Sequence, residues 1–204
     1  MTDAFMMMRV LPFFLLIACV APAEAEGVFG VTQHTQLRVL PTCKSMLDPS
    51  WYYCRTLPVP DERFAFYRLQ YGDGIGVCAI IAVGAVTTQD DEGSAARRQF
   101  DALQRSLSPL YGTGDRYDFL FPESGLTRPG DWMKSLETSQ RLFSVEWEDV
   151  KRDSVQRVEL RIKGVSSSSG RVELEFDFPR HKDCQQTVSS AQGSVNQDRP
   201  SPHH

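Results

Sequence analysis

The sequence predicts an α+β domain: a mainly antiparallel sheet made of a hairpin and a three-strand meander, interrupted by a short helical insertion, with one long amphipathic helix packed on one face. Three observations carry this reading. An apolar and aromatic run from Phe64 to Tyr71 meets a second from Ile75 to Val86 across Gly72-Asp73-Gly74, which supplies the positive-φ positions of a tight turn. Phe100, Leu103, Leu107 and Leu110 recur at helical spacing between Ser94 and Tyr111. Val158, Leu160 and Ile162 alternate with Glu159, Arg161 and Lys163, as Val172, Leu174, Phe176 and Phe178 do with Glu173, Glu175 and Asp177.

The chain opens on an export signal, residues 1–25. Arg9 precedes an apolar run from Val10 to Ala21, Pro22 breaks it, and Ala23-Glu24-Ala25 gives the small-x-small pattern of a signal peptidase site. That run is too short to span a bilayer as a helix. A start at Met8 would place Arg9 directly ahead of it. Leu16-Ile17-Ala18-Cys19 also reads as a lipobox, so the mature chain begins either at Glu26 or at a lipid-bearing Cys19. A single domain over 26–184 follows, since about 180 residues with no apolar region set apart by a linker build one core. From Gln185 the chain is polar and poor in large apolar groups, and a disordered tail is expected over 185–204.

Within the domain, an N-terminal strand is expected near Val28 to Val39, then a loop bearing Cys43 and Cys54. With Cys78 and Cys184 these make an even set in an exported chain, hence two disulfides. Four cysteines admit three connectivities; local Cys43–Cys54 with long-range Cys78–Cys184 is the pairing adopted here. The strand after the Gly72 turn is apolar on both faces and belongs at the centre of the sheet. Gly72-x-Gly74-x-Gly76 precedes a strand rather than opening a helix, so it is no dinucleotide fingerprint. Ser94 is placed as N-cap of the long helix and Gly112 as its end. Residues 113–138 read as irregular apart from a short helix begun by Pro129, with Trp132, Met133 and Leu136 turned inward. Leu142 to Trp147 is the first strand of the meander. The hairpin joined by Ser166 to Gly170 sets Arg161 and Lys163 opposite Glu173 and Glu175.

Hairpin, amphipathic helix ending Leu107-x-x-x-Tyr111-Gly112, and strand meander together resemble small exported proteobacterial domains, some of them immunity-protein-like, over roughly Phe64 to Phe178. The resemblance implies an α+β fold and transfers no catalytic residue. An excess of arginine over lysine and a lone asparagine, Asn196, point with the signal to a Gram-negative bacterium.

Charge and motif narrow the function. A net charge of -4 with signs evenly mixed argues against a nucleic-acid partner. There is no Gly-x-Ser-x-Gly elbow, and the serines cluster in the Ser166–Ser169 turn. His34 and His181 are read as structural or surface residues without a carboxylate at ligand spacing, and His203 and His204 belong to the tail. Neither the Asp90-Asp91-Glu92 loop nor Gly112 to Asp118 has the ligand pattern of a calcium loop. No catalytic, cofactor or metal residue is assigned. The remaining candidate is Asp48-Pro49-Ser50-Trp51-Tyr52-Tyr53-Cys54, a disulfide-fixed loop in which Trp51, Tyr52 and Tyr53 would anchor a partner. The expectation is a periplasmic or secreted protein, or an outer-membrane lipoprotein, that acts by protein contact as an inhibitor, immunity-type factor or assembly accessory. The alternative is a periplasmic hydrolase whose acidic residues, among them Glu146, Glu148 and Asp149, converge only in the fold.

Overall fold

The computed structural model describes residues 27–185. The expected export signal, with its candidate processing sites at Ala25 and Cys19, lies outside the described residues, as does the tail expected over 185–204 apart from Gln185. Eight strands form one antiparallel sheet: β1 (Cys43–Ser45), β2 (Trp51–Cys54), β3 (Phe64–Gly72), β4 (Gly76–Gly84), β5 (Asp115–Leu120), β6 (Arg141–Glu148), β7 (Arg157–Ser166) and β8 (Ser169–Asp177). Their spatial order is β1-β2-β3-β4-β8-β7-β6-β5. The all-apolar β4 therefore lies centrally and joins the N-terminal hairpins to the C-terminal meander.

The β4–β8 register fixes what each face carries. Ile80 pairs with Phe176 and Ala82 with Leu174 on one face, while Ala79, Ile81 and Val83 oppose Asp177, Glu175 and Glu173 on the other. The first face is the core. Helix α1 (Ser94–Tyr111) buries Ala96, Phe100, Leu103 and Leu107 there, against β7 and β8. Phe100 meets Phe143 with ring centroids 4.9 Å apart. Helix α2 (Trp132–Glu137) lies across β7 so closely that a Cβ at Gly164 would come within 2.3 Å of the Glu137 nitrogen. Trp132, Met133 and Leu136 are buried beneath it. The stretch before β1 closes the other half of this face, with Phe29 packed on Phe64, Tyr67 and Phe176.

Several expectations are corrected. No strand spans Val28–Val39: positive φ at Gly27, Phe29 and Gly30 folds the chain back into a single Val28–Val31 bridge, and Leu37–Val39 is a 3-10 turn. The cysteine loop is itself a hairpin, β1 with β2. Residues 115–120, taken as irregular, are edge strand β5, whose exposure leaves no apolar alternation to read. Ser94 is the first helical residue and not the cap; the Asp90 carboxylate accepts from the Ala95 and Ala96 N–H groups, each at 2.9 Å. Leu110 is exposed. Arg161 does face Glu173, but Lys163 faces Arg171 and Glu175 faces Glu159.

Candidate functional site

Among the described residues the face of the sheet opposite the core is covered by helical structure only at one end, by the turn 181–185. It is nonetheless dry at its centre. Glu159, Glu173 and Asp177 are buried, as are Ala79, Ile81 and Val83 of β4. The cover comes from long charged side chains lying over one another, apolar stems down. Arg161 reaches Glu159 at 2.9 Å, Glu173 at 3.1 Å, and Glu175. Arg157 reaches Glu159 at 2.8 Å, Asp177 at 3.0 Å and Glu146 at 3.2 Å. Glu173 also accepts from Arg68 at 3.2 Å and Arg171 at 2.9 Å.

The carboxylates in this layer differ in their affinity for protons. Burial pushes Glu173 upward, but Arg68, Arg161 and Arg171 outweigh it and hold the group below its ordinary value. Burial of Glu175 prevails over the pull of Arg161, so its pKa is raised. Asp177 is likewise desolvated, yet His181 and Arg157 bring it below the usual range.

His181 enters the layer from the turn after β8. Residues 181–185 are helical, and Cys184 is bonded to Cys78 at the start of β4, which holds the turn against the sheet. His181 Nδ1 lies 3.1 Å from Asp177 Oδ1, within ion-pair distance though off-line for a hydrogen bond. The contact with Asp177 raises the imidazole pKa against the effect of burial. The reading of His181 as lacking a local carboxylate is thus corrected: Asp177 stands four residues before it. Two shallow recesses flank the ring. One, of about 240 Å³, is lined by Glu148, Asp149, Gln156, Arg157, Asp177 and Lys182; the other, of about 440 Å³, by Trp51, Arg68, Gln70, Ile81, Arg161 and Glu175 among others. Glu148 and Asp149 therefore share a recess with His181, while Glu146 is engaged by Arg157.

Strand alternation separates the three candidate aromatics. Trp51 pairs with Gln70 and Tyr53 with Arg68, so both rings lie on the open face. Arg68 sits 6.0 Å from the Trp51 ring centroid, and Tyr53 packs on Phe66 at 5.2 Å. Tyr52 points to the core side, packed edge-on to Tyr71 at 6.4 Å. Cys43 and Cys54 are bonded across the β1–β2 pair and tie this flank together. At the far flank, Tyr117 and Phe119 of β5 oppose Ser144 and Leu142, and Phe119 meets Phe121 at 5.2 Å. Tyr117, Phe119, Phe121 and Leu142 are all exposed. The open face thus has an ion-paired centre and two aromatic margins, of which the sequence had singled out Trp51 and Tyr53 of the first and nothing of the second.

Among the described residues, no three histidine, cysteine or carboxylate side chains are grouped to hold a metal ion. No described helix is long and apolar enough to cross a membrane. No protein-family profile, characterised protein or solved structure matches this chain.

Proposed function

We propose that this chain is an exported envelope protein that works by binding another protein with the open face of its sheet, as an inhibitor, immunity-type or assembly factor. The observation that carries the reading is the aromatic margin of Trp51, Tyr53 and Phe66, in which Tyr53 is exposed and the other two rings are half-buried, set beside the β1–β2 pair that the Cys43–Cys54 bridge fixes in register. Rings held this way lose little entropy on binding. The centre of the face argues for the kind of partner. Its cations and carboxylates are already paired with one another, so it offers little field to a polyanion or an anionic membrane. A protein surface with apolar side chains and neutral hydrogen-bonding groups fits it better. Two disulfides accord with an oxidising compartment.

A photo-crosslinking residue at Tyr53 should trap one envelope protein, whereas the same residue at exposed Arg98 on the outer side of α1 should trap none. With that protein purified, Trp51→Ala combined with Tyr53→Ala should weaken the complex by about 2 kcal/mol or more, the scale of an interface hot spot. Equal trapping at both positions, or affinity unchanged by the double variant, would refute the open face as the binding surface.

A further inference from the structure

We infer that two copies of this chain join edge to edge through β5, in an antiparallel pairing centred on Tyr117 that makes the two sheets continuous. The sheet has two edges and they are unlike. Edge strand β1 is three residues long; β5 has six, with no proline, no lysine and an unbroken register against β6. Shortness, proline, lysine and a bulge are usual guards of an exposed edge and β5 has none of them; the guard it does carry is charge, at Asp115, Arg116 and Asp118, and that charge opposes pairing only in registers that bring like signs together.

The outward backbone groups can be assigned. The Phe121 N–H donates to the Gln140 carbonyl at 2.9 Å, one step beyond the Leu120–Arg141 pair. By the alternation of an antiparallel ladder, Asp115, Tyr117 and Phe119 direct their N–H and C=O groups to β6, and Arg116, Asp118 and Leu120 direct theirs outward. A twofold axis normal to the sheet keeps the core face of both copies on the same side. It then sets residues of equal parity opposite each other. Centred on Arg116 or on Asp118, it would oppose like charges. Centred on Tyr117, it sets Arg116 of each copy opposite Asp118 of the other, twice, at positions whose backbone groups face outward, while the two Tyr117 rings meet on the open face. Opposite charges at directly facing positions favour a register, and like charges disfavour it. Within one copy Arg116 also contacts Asp101 at 3.2 Å, and Asp118 contacts Arg141. The facing pairs would extend these contacts into alternating clusters without leaving a like-charge neighbour unopposed.

Sedimentation equilibrium on the mature protein should show a monomer–dimer equilibrium that Arg116→Asp and Asp118→Arg each shift toward monomer by roughly tenfold. The double variant restores facing opposite charges and should recover the dimer. Because each single variant also touches a contact within its own copy, thermal melts of all three establish that they are folded. Cysteine placement tests the register independently: Tyr117→Cys faces itself and should oxidise to a covalent dimer about ten times faster than Phe119→Cys, which faces Asp115 of the other copy. A protein that stays monomeric to about 1 mM, or equal oxidation at both positions, would overturn the proposal. Neither outcome bears on binding at the Trp51 margin, which lies at the opposite flank of the sheet.

Discussion

Replacing Arg161 with Met should expose how the ion-paired layer is balanced. The Arg161 side chain is 22% exposed and serves three carboxylates. Removing one partner of a buried ion pair costs about 3–5 kcal/mol, because a charge is left without compensation. Here the loss should fall at the lower end of that range, near 3 kcal/mol. Glu173 keeps Arg68 and Arg171, and Glu159 keeps Arg157, so Glu175 alone is orphaned. With a slope of about 2 kcal/mol per molar urea, that loss shifts the unfolding midpoint by roughly 1.5 M. It should also depend on pH. Glu175 has a raised pKa already, so its ionised form works against folding at pH values above its titration, and removing Arg161 raises the pKa further. The deficit should be full near pH 8 and substantially smaller near pH 5, where the orphaned carboxyl takes up a proton at less expense to the fold. Urea titrations followed by tryptophan fluorescence measure both. Adding Glu175→Gln to the Arg161→Met variant should recover most of the loss at pH 8. A deficit below about 1 kcal/mol, equal deficits at the two pH values, or no recovery in the double variant would refute the account of a shared layer with Glu175 as its weak member.

The His181 imidazole should titrate above its ordinary value in an NMR experiment, and Asp177→Asn should bring it down. Its raised pKa means the contact stabilises the fold below about pH 6.5 and is lost as pH rises through the folded value; the lowered Asp177 pKa means its share is lost as pH falls through that group's own titration. Tyr52→Ala should destabilise the protein by about 2 kcal/mol, since the ring packs on the core side, whereas Trp51→Ala on the open face should cost under about 1 kcal/mol; thermal melts giving the reverse order would contradict the strand alternation.

Much of the sheet was legible because its strands announce themselves on the core side. The unbroken apolar run of β4 and the alternation in β7 and β8 left little choice of placement. Strand β5 was not legible, because an edge strand with most residues in water carries no burial pattern. The open face was hidden for a different reason. Glu159, Arg161, Glu173 and Glu175 alternate with apolar neighbours just as a solvated row would, and one strand's pattern cannot distinguish the two. Only the side-by-side placement of β3, β4, β8 and β7 brings arginines from separate strands over the same carboxylates. The Asp177–His181 pair was masked by Pro179 between them, which ends the strand and suspends any helical spacing rule. Trp51, Tyr52 and Tyr53 were found by composition, but the hairpin decided which of them share a face.

The Cys78–Cys184 bridge spans 106 residues, from the central strand to the last described turn, whereas Cys43–Cys54 spans 11. Closing the shorter loop costs the unfolded chain less entropy, so the hairpin bridge is the easier of the two to form before the fold is complete. Once it has closed, both of its thiols are out of exchange, and Cys78 and Cys184 are left with each other as partners among the four. For a chain exported N-terminus first, as proposed above, the same order would follow from emergence: the hairpin could lock early, and the bond at Cys78 would come only after Cys184 had followed it.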